Sequence, residues 1–560
     1  MRGWLIWLLV LAAIALAGIV WWQTSRAHFS LSVAGNYLAA REAYERGDSA
    51  LAMRLYQQAL YVAPNDVRLQ IGAFLSYLRE NRRAAALHLA PMLYHHPDYH
   101  RYAHLLLLNE DIRRGRWARA EQRLADFGDT RLEETLHHAY GGWLAWQRKD
   151  EAELARHRAG LRAVRGMRAL GWWQEALLAE YAGATEEASE QYRKGWRTGG
   201  AGMPAYAQAW ARFLHRQGNA TKAREILRDY TDRYGAHPFV DLARNELDAP
   251  PAPLSLGPAT ALADFLAALS GVFVPQLRRE RLLYAQLGLL LHGAPQLHFV
   301  LAERYAQYGY WQKAAEHYSE IEKTAPYYAA AQLRRAGLLH RHGATEAALS
   351  ALTPLREGEM RVAVLSAIAE IHREREEFAD AEKVYDELLE GAARNAPQWE
   401  LYFARGIVRE RQNKWELAEK DLLLARRLSG DEPHVLNYLG YSWVDQGIQL
   451  RRAFAMIQQA VQRQPDNGAF IDSLGWAHFR LGDFPRAVMH LERAVELEPM
   501  DPIITDHFGD ALWYAGRRDE ARHQWRRALL LEPSAKLQTS LEQKLENDRP
   551  RRYNLTSSNL

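Results

Sequence analysis

His96, His100 and His104 step by four residues, with His95 beside the first. On a helix begun after Pro97, that spacing sets His100 and His104 on one face, where two imidazoles would hold a metal ion if a third ligand came from elsewhere. Asp98 is the one carboxylate at a matching step. A polar helix face explains the same pattern, and zinc sites require three or four ligands, so His96, His100 and His104 stand as metal candidates only. Other chemistry finds no foothold. The chain has no cysteine, which removes thiol nucleophiles, disulfides and thiolate-bound metals together. Zinc-helix, phosphate-loop, dinucleotide, nucleophile-elbow and kinase motifs are absent from the sequence. Adjacent carboxylates such as Glu376 and Glu377 read as a solvated helix face. The expectation is a chain with no catalytic residue and no cofactor, against the alternative of an enzyme or metal-dependent accessory subunit centred on residues 95–104.

The elements that would position any site repeat at a fixed interval. Gly475, Gly482, Ala487, Ala494 and Pro499 recur 34 residues later as Gly509, Gly516, Ala521, Ala528 and Pro533. Ala453, Ala460 and Pro465 keep that offset one unit earlier, while Gly440 and Gly447 lie 35 back. Such spacing is that of the tetratricopeptide repeat (TPR): two antiparallel helices, small residues where they cross, and proline ending the second. Further units centre on Gly47, Gly115, Gly183, Gly218, Gly309, Gly343, Phe378 and Trp415. The expectation is an all-α solenoid of about twelve pairs, wound as a right-handed superhelix. Trp117, Trp311, Trp415, Phe378 and Phe484, two residues after the turn, are expected to pack between neighbouring units.

In three C-terminal units, every fifth, ninth and twelfth residue of the first helix is expected to face a concave groove. These are Asn437, Tyr441 and Val444, then Asp472, Trp476 and Phe479, then Asp506, Asp510 and Trp513. Carboxylates among aromatic rings suit a basic or extended polypeptide, since rings supply buried area and carboxylates steer opposite charge. The same acidity disfavours capture of an acidic C-terminal peptide. Net charge is only +3, from 71 basic and 68 acidic residues, so nothing points to nucleic acid.

Residues Trp4 to Trp22 carry no charge and lie between Arg2 and Arg26, about the length of a membrane-crossing helix. Tryptophans at both ends fit the two interfaces, and the alternative is a cleaved secretory peptide with Ala15 and Ala17 as its small-x-small site. The expected organisation is an anchor and linker over 1–32, an N-terminal array over 33–247, a Pro-rich break over 248–260, a C-terminal array over 261–535 and a helix end with polar tail over 536–560. Pro250, Pro251, Pro253 and Pro258 make the break, expected as a hinge or long turn.

The strings VLNYLGYSWVDQG at 435–447, AFIDSLGWAHFRLGDF at 469–484 and ITDHFGDALWYAGRRDEARHQWRRAL at 504–529 resemble a family of proteobacterial envelope TPR proteins, as does AGNYLAAREAYERGD at 34–48. The resemblance implies an exported protein, often lipid-anchored, and for some members an adaptor that binds a carboxyl-terminal processing protease and delivers substrates such as cell-wall hydrolases. Leu16-Ala17-Gly18-Ile19 has isoleucine where a lipidated cysteine would stand, so a membrane-spanning helix at 4–22 would replace the lipid. The expected place is the inner membrane, single-pass, with the repeats in the periplasm, and the expected partners are proteins or peptides. The oligomeric state is left open.

Overall fold

The computed structural model describes residues 32–127, 130–163, 167–254, 257–272, 277–358, 360–391 and 398–550, together with Tyr553. The apolar run at 4–22, and with it the expected anchor, lies outside the described residues. Among those described, no helix is long and apolar enough to cross a membrane.

Regular structure among the described residues is helical throughout, with thirty α-helices, three short 3-10 turns and no strand. Twenty-eight of the helices form fourteen consecutive packed pairs; the two left over are Pro238–Glu246 and Ala535–Asn547. Within a unit the first helix ends on a left-handed residue, usually glycine, because that conformation crowds any Cβ. Gly482 is one such residue, with φ of 80°. Asp483 then donates its N–H to the His478 carbonyl at 2.9 Å, and its carboxylate accepts the Arg486 N–H to cap the next helix. Where the two helices cross, a Cβ on Gly475 would fall 2.7 Å from Leu491 Cγ, and one on Gly509 would fall 2.5 Å from Trp525 Nε1. The spaced glycines of the sequence are therefore of two kinds, one serving the turn and one the crossing.

Fourteen pairs exceed the twelve expected. The two extra are Val67–Arg79 with Arg83–Leu89, and Arg131–Arg148 with Glu151–Ala163. Their turns carry Asn81 and Lys149 in the left-handed region, at φ of 53° and 61°. The glycine signal is missing there, although the geometry is the same. The periodic aromatics are half-buried and bridge neighbouring pairs: Trp311 stacks on His342 with centroids 4.6 Å apart, and Phe484 on Tyr514 at 5.3 Å.

The chain divides into two compact units, Met1–Gly358 and Glu359–Leu560. This differs from the expected boundary at 248–260, which falls inside the first unit. The reason is packing across the break. Helix Pro258–Val272 lies against Arg131–Arg148 and Arg168–Tyr181, and helix Arg278–Leu291 lies against Val67–Arg79 and His100–Arg113. Asn109 donates its side-chain amide to the Leu287 carbonyl at 3.2 Å, Tyr310 donates its hydroxyl to the Glu45 carbonyl at 2.9 Å, and Lys313 Nζ sits 2.7 Å from Glu80. Gly47 leaves the room, since a Cβ there would meet the Tyr310 ring at 2.3 Å. After the Pro-rich break the chain thus returns to its own first repeats, which a simple array of nearest-neighbour units does not do.

The second unit stacks five pairs and ends on helix Ala535–Asn547. Its core runs continuously through Trp443, Ile457, Trp476, Leu491, Phe508 and Trp525. Ile457, Leu491 and Phe508 each contribute about 1.5–3 kcal/mol on burial.

Candidate functional site

Helices Pro433–Gln446, Gly468–Arg480 and Pro502–Tyr514 carry the residues expected to line a groove, and they do bring them together. Trp476 stacks on Phe479 at 4.6 Å and on His507 at 4.2 Å between centroids, with the Tyr553 ring edge-on at 5.3 Å. His507 Nδ1 lies 3.0 Å from Asp472 Oδ1. Burial works against a charged imidazole here, but the Asp472, Asp506 and Asp510 carboxylates outweigh it and raise the His507 pKa. Lys544 Nζ, from the last helix, donates to Asp506 at 2.7 Å and to Asp510 at 2.8 Å. Trp525 Nε1 and the Tyr553 hydroxyl donate to Asp510 as well. Two carboxylates share one ammonium, so burial and the Asp510 charge push Asp506 up to about 6 against the pull of Lys544.

The expectation of an open groove at these positions is corrected by their burial. Asp472, Trp476, Phe479, Asp506 and Asp510 are buried, Asp510 wholly so. Asn437, Tyr441 and Trp513 are half-buried; Trp513 Nε1 donates to the Asp548 carbonyl at 3.1 Å. Physically, a buried carboxylate requires a counter-charge, and the chain supplies its own in Lys544.

The histidine candidates fare likewise. His96 Nδ1 accepts the Asp98 N–H at 3.2 Å, His100 Nε2 lies 3.2 Å from Glu133, and His104 Nε2 lies 3.0 Å from the Tyr94 carbonyl. Burial also depresses the His104 pKa. The three serve separate local contacts and do not converge on one point as the metal reading of residues 95–104 expects. Among the described residues, the three histidines that converge on one point are His137, His138 and His157.

An open site does exist, inside the first unit. A cavity of about 1120 Å³ lies among helices Arg168–Tyr181, Pro204–Arg216, Pro238–Glu246, Pro258–Val272 and Pro295–Gln307, with Ala252, Pro253 and Leu254 of the Pro-rich break on its wall. Trp173, Phe239, Leu242, Val300 and Tyr327 give it an apolar lining. Among them stand Arg212, paired with Glu246 at 2.6 and 2.7 Å, and Asp264, whose carboxylate accepts from Gln296 at 3.3 Å. Burial pushes Asp264 up to about 6, against weaker opposition from Gln296 and Arg212. Trp173 Nε1 and Arg304 Nε are buried with no hydrogen-bond partner among the described residues. No spacing in the sequence announces this site, because its walls come from six separate helices, Ala220–Tyr234 contributing Tyr230, that meet only once the chain has turned back.

No protein-family model matches the chain. Over 180 residues it is 27% identical to the TPR repeat-containing protein PA4667 of Pseudomonas aeruginosa, covering 32% of this chain and 30% of that protein. The chain is similar to TPR proteins. The match spans under a third of that curated relative. Solved structures to which the chain is similar include a tetratricopeptide repeat protein from Parabacteroides merdae, at 15% identity over 45% of this chain and 98% of that one, with a TM-score of 0.39. Another is the Cut9–Hcn1 assembly of the APC/C, at 13% identity over 93% of this chain and 98% of that one, with a TM-score of 0.36.

Proposed function

We propose that this protein is a non-catalytic interaction scaffold, anchored in the inner membrane through residues 4–22, that receives polypeptide partners in the cavity of its first unit on the periplasmic side. The observation that carries the binding part is the cavity itself. Its volume and apolar walls suit an extended segment with bulky side chains. Anchoring and export rest on the uncharged run between Arg2 and Arg26. The adaptor role, presenting substrates to an envelope processing protease, rests on the resemblance of the repeat strings at 34–48, 435–447, 469–484 and 504–529.

A photo-crosslinking amino acid placed at Val300 or Leu242 in cells tests the reading. The expected result is a discrete crosslinked polypeptide, lost when Ala209→Trp fills the cavity. Labelling no stronger than from exposed Val62 would count against the cavity as the binding site. Protease protection in spheroplasts tests the orientation separately, and the expected outcome is digestion of the repeats from outside.

A further inference from the structure

Helices Arg131–Arg148 and Glu151–Ala163 bring three imidazoles to one point. The rings of His137, His138 and His157 stand at the corners of a nearly equilateral triangle, with centroids 5.3, 5.3 and 5.5 Å apart. A ring nitrogen of each lies within 4.8 Å of those of the other two. His138 Nδ1 and His157 Nδ1 are 3.2 Å apart. Two nitrogens each about 2.0–2.1 Å from a tetrahedral ion are separated by about 3.3 Å, so this pair already has the spacing.

The surroundings are those of a ligand set. His137 Nδ1 lies 3.2 Å from the Leu124 carbonyl, to which it donates, leaving the Nε2 lone pair for an ion. The far nitrogen of His157, Nε2, lies 3.7 Å from the Glu153 carboxylate. A carbonyl or carboxylate on the outer nitrogen is how metal-bound imidazoles are oriented. Two glycines make room for the rings: a Cβ on Gly141 would fall 2.2 Å from His157 Cε1, and one on Gly160 would fall 2.3 Å from His138 Cε1. His157 is buried while His137 and His138 are half-buried, which leaves an entry side. None of the three lines the cavity.

We propose that His137, His138 and His157 bind one divalent zinc ion, with a fourth position open to water. Neutral imidazole nitrogens with no thiolate among them favour zinc and its first-row neighbours over magnesium or calcium. The site is independent of the partner-binding reading.

Equilibrium dialysis of the untagged, chelator-stripped chain against zinc chloride, with metal content measured by mass spectrometry, tests it. Saturable binding of one ion per chain is expected, retained in His104→Gln and weakened at least about tenfold in His138→Gln and His157→Gln. Cobalt(II) in place of zinc is expected to give the intense visible absorption of a four-coordinate ion. Circular dichroism checks the fold; should buried His157→Gln lose helix, half-buried His138→Gln decides. Absence of saturable zinc, or binding unchanged in a folded His138→Gln protein, would overturn the proposal.

Discussion

The inner face of the second unit and the cavity of the first are built from the same helix pair, yet one is sealed and the other open. On that face of the second unit His507 meets Asp472, and Lys544 meets Asp506 and Asp510, opposite charges of the same chain. In the first unit Asp264 has an amide for its hydrogen-bond partner, and space remains. The repeat therefore does not decide whether a concave face is a binding site. What decides is whether a later helix brings the occupant.

The comparison can be broken most severely at Lys544. Lys544→Ala leaves two carboxylates buried without their cation, and is expected to destabilise the second unit by about 3–5 kcal/mol in urea unfolding. Asp264→Asn tests the other side. With its folded pKa at about 6, above an unfolded value near 3.9, Asp264 retains its proton longer in the folded state. Its contribution to stability is then full below about pH 4 and is lost as pH rises to about 6, by up to about 3 kcal/mol. Subtracting the Asp264→Asn unfolding profile from that of the unaltered chain should give this falling step; a difference flat in pH would place Asp264 in water. Gly509→Ala drives a methyl into the Trp525 indole and strains its bond to Asp510. Overpacking of about 1–3 kcal/mol there exceeds the gain of about 1 kcal/mol in helix propensity, so a net loss is expected in the second unit's unfolding midpoint. Arg212→Gln, at a partly exposed ion pair on the cavity wall, should change stability by less than about 1 kcal/mol, so any loss of crosslinking in that variant reports on the cavity and not on the fold.

Much of this was legible in the sequence, to the depth at which glycine marks turns. Nine of the fourteen pairs present a glycine at the turn, and Phe378 and Trp415 reveal two whose turns use Glu376 and Asn413. Asn81 and Lys149 take the same backbone shape without that mark, and the pair around Lys149 is the one that holds the three histidines. Finding His157 opposite His138 requires knowing where the turn lies. The groove residues were placed in the right neighbourhood, and the occupant was within reach. The 34-residue step from Trp476 to Asp510 leads once more to Lys544, so helix Ala535–Asn547 keeps the register of a repeat's first helix. The cavity was out of reach in a stricter sense, since contacts between residues 100–148 and 258–291 leave no periodic trace.

The return of the chain onto its beginning also has a consequence for how the first unit comes into being. A nearest-neighbour array gathers contacts of short sequence separation, and such chains fold fast from any starting repeat. Here Tyr310 reaches Glu45 across 265 residues and Asn109 reaches Leu287 across 178. Closing loops of that length carries an entropy cost met only after the intervening helices exist. During synthesis the apolar faces of Val67–Arg79 and His100–Arg113 are made long before helix Arg278–Leu291 arrives to cover them. The first unit therefore spends its assembly with a face exposed that the finished protein hides, and its folding rate is set by ring closure instead of by the repeats.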